Sequence, residues 1–163
     1  MPHPKTKSVA VAILAKAPVP GFAKTRLMPA LGAHGAAMLQ EALTARAVET
    51  ALAAQIGPIT LWAAPDATHP SFRELAIGAR IAVRRQPDGD LGARMLAPCE
   101  AVAGPVLVIG TDCPSLSPAY LKEAANALRD GSDVTIIPAE DGGYVLIGMR
   151  QPQPSLFNAM PWG

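Results

Sequence analysis

A chain of 163 residues is long enough to bury a substantial core as one domain, and a formal net charge of +1 gives it no broad positive field to hold a nucleic-acid backbone. Half of the residues are apolar and only 4% are aromatic, which excludes a disordered chain and suits short helices packed closely on a sheet. Cys99 and Cys113, the only cysteines, lack CxxC or Cys/His spacing, so neither a zinc knuckle nor a disulfide framework is expected, and a reducing cytosol is the expected compartment.

The first apolar run, Val9 to Ala15 behind Lys5 and Lys7, loosely imitates a secretory signal. It is at the short limit for a signal core and far below the roughly 20 residues of a membrane span. It reads instead as a buried strand, Ser8 to Ala15. The loop that follows, Lys16 to Arg26, contains two prolines, Gly21 and three cations. Ligands in open parallel sheets bind beyond the carboxyl ends of the strands, so Lys24 and Arg26 are candidates to clamp phosphate oxygens, the alternative being a solvated loop. Lys24-Thr25 resembles the closing pair of a P-loop. Pro18 and Ala23 stand where that motif needs glycines, so the backbone is not expected to wrap a triphosphate in the same way.

A helix is expected over Ala36 to Gln55, with Leu39, Leu43, Val48, Leu52 and Ile56 near one stripe and Gly57-Pro58 as its stop signal. Ile59 to Ala64 and Ile81 to Arg84 read as strands on either side of a short helix, Thr68 to Ala76. In Gln86 to Met95, Gly89 and Asp90 precede another helix, Leu91 to Ala103, whose N-terminus has a potential for phosphate or base and whose first turn carries Arg94. Simple helix initiation is the other reading of this segment.

The strand Val106 to Ile109 leads into Gly110-Thr-Asp-Cys-Pro-Ser115, which presents Asp112 at the sheet edge. One carboxylate placed there suffices to hold a magnesium ion against substrate phosphates; the competing reading is a turn residue making a local hydrogen bond. Ser117 and Pro118 open the clearest helix, with Leu121, Ala124, Ala125 and Leu128 inward and Gly131 closing it. Val134 to Pro138 and Tyr144 to Gly148 are the last strands. Glu140-Asp-Gly-Gly-Tyr144 between them is read equally as a hairpin turn and as a site element, with adjacent carboxylates and glycines that admit a ligand closely. His3, His34 and His69 form no metal spacing, and no serine sits in a nucleophile elbow. No linker divides residues 1–163, and strand–helix alternation implies a mostly parallel sheet with right-handed crossovers.

Taken together, Pro20-Gly-Phe-Ala-Lys-Thr-Arg-Leu27, Gly89-Asp-Leu-Gly-Ala-Arg-Met95, Gly110-Thr-Asp-Cys-Pro-Ser-Leu116 and Ala139-Glu-Asp-Gly-Gly-Tyr-Val-Leu-Ile-Gly148 closely resemble the DUF2064 group of bacterial glycosyltransferase-A-like proteins, often labelled selenodomain-associated transferase 1. They are similar, more distantly, to molybdenum-cofactor and phospholactate guanylyltransferases. The resemblance implies a three-layer α/β/α, Rossmann-like nucleotide-diphospho-sugar transferase fold. It further implies Lys16, Gly21, Lys24 and Arg26 at nucleotide phosphates, Asp112 on Mg2+ or Mn2+, and Asp141 as a second carboxylate.

The residues and the resemblance together lead to an expected metal-dependent transferase with a nucleotide sugar or nucleoside triphosphate as donor and a small-molecule acceptor. Asp112, Lys24 and Asp141 are the expected catalytic residues. Thr25, Gly89 and Arg94 join the nucleotide side, and Gly142, Gly143 and Tyr144 the acceptor side. No nucleic acid and no membrane span are expected, and a homodimer is left open. A non-catalytic nucleotide-binding module is the alternative. The metal loop carries one Asp where many such glycosyltransferases have Asp-x-Asp. With Trp162 next to the last residue, Gly163, the domain is expected to continue in a longer protein.

Overall fold

The computed structural model describes residues 7–157. In chain order the elements are β1 (Ala10–Lys16), α1 (Met28–Ala54), β2 (Ile59–Ala64), α2 (Pro70–Ala79), β3 (Ala82–Arg85), α3 (Leu91–Glu100), β4 (Val106–Ile109), α4 (Pro118–Arg129), β5 (Val134–Pro138) and β6 (Tyr144–Met149). A single 3-10 turn at Thr25–Leu27 leads into α1.

The strands form one six-stranded sheet in the order β3-β2-β1-β4-β6-β5. β3, β2, β1 and β4 pair in parallel, as crossover helices require. β6 runs antiparallel to both β4 and β5, because a tight turn over residues 139–143 folds it straight back on β5.

Side-chain alternation sorts the core into two layers. Val9, Val11, Ile13 and Ala15 point to one face, where they meet Val48 of α1, Phe72 of α2, and Leu121 and Leu128 of α4. Ala10 and Ala12 point to the other, where Met95 and Cys99 of α3 pack with Val106, Ile147 and Met149. The result is the expected α/β/α sandwich. The apolar run read as a strand rather than a leader is the centre of the sheet. Continuous burial holds for β1 and β4, while the edge strands β3 and β5 are partly exposed.

α4 matches its reading closely. Ser117 caps it by accepting from the Tyr120 amide, Leu121, Ala124, Ala125 and Leu128 are buried, and Gly131 takes φ 108° after its end. α1 differs in two respects. It starts at Met28, earlier than expected, and breaks at Gly32, whose φ of 73° leaves helical geometry. Its buried stripe is Ala36, Gln40, Thr44, Val48 and Ala51, so Val48 is in the core as expected while Leu39 and Leu43 are half-buried and Leu52 is exposed. His69, assigned no role in the sequence, caps α2 by accepting from the Ser71 amide.

The stop at Gly57 works for a different reason from the one expected. Gln55 adopts the left-handed conformation that ends α1, whereas Gly57 is required by proximity: a Cβ there would lie 2.2 Å from the Val9 carbonyl oxygen. Gly57→Ala is expected to displace the start of β1 and cost about 1–3 kcal/mol by urea denaturation, the range of an overpacked site. Burial also sets the two cysteines apart. Desolvation, with a smaller contribution from Glu100, pushes the Cys99 thiol up to about 12, while Cys113 is half-buried in a loop. Since the thiolate is the reactive form, iodoacetamide at pH 8 should label Cys113 in the native protein and Cys99 only after unfolding, read by peptide mass.

Candidate active site

The strand order reverses between β1 and β4, so the loops after these two strands diverge around a crevice at the carboxyl edge. Both loops are the ones singled out in the sequence.

The β1 loop is a sequence of turns. Ala17 donates its amide to the Ala64 carbonyl, fastening the loop to β2, and the amides of Phe22 and Ala23 both reach the Val19 carbonyl at 3.0 Å. Gly21 takes φ 89° at the bend, and the fully buried Ala23 anchors the loop. Lys24 follows in the left-handed region at φ 51°, a conformation a side chain other than glycine holds only when its surroundings impose it.

The Lys24 ammonium meets Asp112 Oδ1 across 88 residues of sequence. The lysine side chain is only 17% exposed and the aspartate 78%. Exposure on the aspartate side holds the pair to less than about 1 kcal/mol of stability. The contact therefore matters for where it places charge rather than for holding the fold.

Asp112 owes its position to polar groups of α1 that the sequence reading overlooked. The buried Gln40 amide donates to the Lys16 carbonyl at 3.2 Å, to Thr44 Oγ1 at 3.3 Å and, more weakly, to Thr111 Oγ1 at 3.4 Å, tying α1 to the ends of β1 and β4. Arg46 Nε donates to the Pro114 carbonyl at 2.7 Å on the far side of Asp112. The signal was present in the sequence as polar residues at four-residue spacing on an otherwise apolar helix face. A second buried amide, Gln86, joins the ends of β1 and β2 by donating to Trp62 O at 2.9 Å and Ala15 O at 3.4 Å.

Three clefts meet at Asp112. The first, about 660 Å³, is lined by Lys16, Lys24, Thr25, Arg26, Gln40 and Thr111, with Leu39 and Leu43 as an apolar wall, which is where those two leucines went. The second, about 580 Å³, runs towards Glu140, Asp141 and Tyr120. The third, about 500 Å³, lies over the sheet between α3 and the β5–β6 turn and includes Asp141, Gly143 and Tyr144.

The β5–β6 segment is a hairpin, and Asp141 Oδ1 accepts from the Gly143 amide at 3.0 Å, while Gly142 takes φ 89° at its tip. The hairpin reading and the placement at the clefts thus hold together. Among the other sequence candidates, Gly21, Gly89, Arg94 and Gly142 line none of these three clefts. Asp90 caps α3 by accepting from the Ala93 amide at 2.9 Å, as helix initiation requires. Arg94 Nε is buried with no partner among the described residues. Also among them, no three His, Cys, Asp or Glu side chains gather into a ready-made metal cage.

Residues 47–163 match the family described as "Uncharacterized protein conserved in bacteria (DUF2064)". A crystal structure from Desulfovibrio desulfuricans G20, provisionally described as a nucleotide-diphospho-sugar transferase, is 30% identical with a TM-score of 0.84, over 96% of this chain and 71% of that one. Two further structures share the fold at low identity. A cytidylyltransferase from Leptospira borgpetersenii serovar Hardjo-bovis (strain JB197) is 12% identical with a TM-score of 0.59, over 92% of this chain and 62% of its own. The 4-diphosphocytidyl-2C-methyl-D-erythritol synthase of Anaerococcus prevotii DSM 20548 is 14% identical with a TM-score of 0.54, over 91% and 73%. None of the curated proteins matches the chain.

The polar stitch under Asp112 is open to direct measurement. Gln40→Leu keeps the volume but removes the donor that serves two loops, so it is expected to cost about 1–3 kcal/mol of stability by urea denaturation, the range for buried polar groups left unsatisfied.

Proposed function

The chain belongs to the DUF2064 family of bacterial proteins, and on that footing we propose that it is a transferase using a nucleotide-activated donor. Support comes above all from one observation: a cationic loop and an exposed carboxylate, far apart in sequence, touch at the switch point of the sheet.

In this reading the 660 Å³ cleft receives the donor phosphates. Arg26 supplies forked, bidentate hydrogen bonds; Lys16 and Lys24 supply point charges; the Thr25 hydroxyl adds a donor. Lys24 is held by Asp112 before substrate arrives, so it needs little reorganisation as charge moves onto the phosphate oxygens. Gly21 serves by shaping the loop. The donor roles expected for Gly89 and Arg94 gain no support from the geometry, because neither lines any of the three clefts and the N-terminal end of α3 stands on the other side of Asp112.

The donor set at Asp112 fits a hard divalent cation. Its carboxylate is mostly open to solvent, Asp141 lines two of the same clefts, and such an ion takes one or two carboxylates and completes its shell from water and phosphate oxygens. Asp112 would hold Mg2+ or Mn2+, with Asp141 as the second carboxylate. When bound, the ion supplies Lewis-acid neutralisation of the phosphates. The Lys24 ammonium balances the Asp112 charge and lies where it can follow the phosphates. Asp141, Gly142, Gly143 and Tyr144 form the acceptor side, the hairpin holding the acceptor against Asp112. Transfer of a sugar and transfer of a nucleotidyl group both satisfy this arrangement; they differ in which bond to the donor breaks.

Thermal-shift titration with nucleoside triphosphates and nucleotide sugars, with and without Mn2+, tests the proposal, since a ligand of the native state raises Tm by mass action. At least one donor should give a metal-dependent rise. Asp112→Asn should abolish the metal dependence while changing the ligand-free stability by less than about 1 kcal/mol. Lys24→Ala should weaken donor binding roughly 10–100-fold, the worth of one charge-assisted hydrogen bond. A full panel without any shift overturns the reading. Stabilisation with no turnover across acceptors would identify a nucleotide-binding module instead.

A further inference from the structure

The two sides of Asp112 differ in chemistry. Towards the β1 loop the cleft carries Lys16, Lys24 and Arg26. On the opposite side, the 500 Å³ cleft has a floor of Met95, Val108 and Ile147, with Leu14, Leu91 and Tyr144 around it. Leu91 and Tyr144 stand 48% and 39% exposed at its rim, large apolar surface that water would otherwise cover. Its charged side chains are Asp112 and Asp141, and no Lys, Arg or His of the described residues lines it. The neighbouring 580 Å³ cleft, which opens into the same region, likewise adds an acid, Glu140, and no cation.

Resting on the donor reading above, we infer that this side takes an acceptor with an apolar, alkyl or aryl body carrying a neutral or cationic hydroxyl or amine, and rejects acceptors bearing phosphate, sulfonate or carboxylate. The volume lies within the range of small-molecule pockets, and an apolar lining with a few polar groups at one end orients a ligand by its reactive end. Here those polar groups are Asp112 and Asp141, so the nucleophile would point to the donor and the apolar body would lie over the sheet. In the metal-free protein Lys24 balances Asp112, and an anion in the same place meets the Asp141 carboxylate with no cation lining the cleft to offset it, a penalty of up to about one order of magnitude in affinity.

Two fluorescent probes that differ only by a sulfonate isolate this discrimination: neutral N-phenyl-1-naphthylamine and anionic 8-anilinonaphthalene-1-sulfonate. The neutral probe is expected to bind saturably and about tenfold more tightly than the anionic one. Leu91→Arg, on the half-exposed rim, should narrow or invert that ratio without lowering Tm. Saturating nucleotide with Mn2+ should leave the neutral probe bound. Equal or tighter binding of the sulfonate, no saturable binding of the neutral probe, or competitive displacement by nucleotide, which would make this the pocket of the donor base, each overturns the inference. Nucleotide binding is read separately by thermal shift. Its absence with probe discrimination intact overturns the donor reading and leaves a cleft selective for apolar, non-anionic ligands.

Discussion

The parallel pairing of β1 with β4 is the constraint on which the site depends. Ala10 lies beside Val106 and Ile13 beside Ile109, so both strands release their loops at the same edge of the sheet, β1 running three residues further to Lys16. Crossovers then carry one chain segment away on each side, and the crevice between them is a consequence of topology rather than of any one residue. Lys24 and Asp112 can meet only because this pairing brings them to one edge.

Placing the strands is not enough to aim the side chains. α1 is tied to both loops by Gln40, and it buries Gln40 and Thr44 where leucines would be ordinary. Buried polar groups are costly unless they are satisfied, and fully satisfied networks rigidify their surroundings. Gln40 meets that condition by sharing its two amide hydrogens among the Lys16 carbonyl and the Thr44 and Thr111 hydroxyl oxygens. Arg46 does the same at Pro114. Asp112 is thereby supported from both sides while its own carboxylate stays open to solvent, an arrangement that preorganises a charged group without burying it.

Electrostatics follow from the same division. Net charge is nearly balanced over the chain, yet the cations that matter sit on one side of Asp112, and acids with apolar surface on the other. Such a division would favour a polyanion on the first side and disfavour it on the second. Lys24, held at positive φ with most of its side chain covered, marks the boundary between the two.

Much of this was legible in the sequence. Uninterrupted apolar runs located the central strands because strands covered on both faces have no polar alternation, and Ser117-Pro118 with Gly131 bounded α4 because end groups of a helix need caps. The rule that ligands bind at the carboxyl ends of strands picked out both loops that meet at Asp112, and the four motifs carried the resemblance to the family. Other features needed the tertiary structure. The leucines of α1 had the spacing of a core stripe, but the packed helix turns Ala36, Gln40 and Thr44 to the core and leaves Leu39 and Leu43 to wall the cleft. Gly57 read as a helix stop, yet the Val9 carbonyl is what forbids a side chain there. The segment at Gly89 and Asp90 was open in the sequence between a ligand-facing helix start and simple helix initiation, and in the fold Asp90 serves as a cap while Leu91 turns to the apolar cleft. Local sequence sets periodicity, caps and turns, because those interactions span a few residues. Which face is crowded, and which distant groups share a cleft, is decided only when strands from far apart in the chain pack side by side.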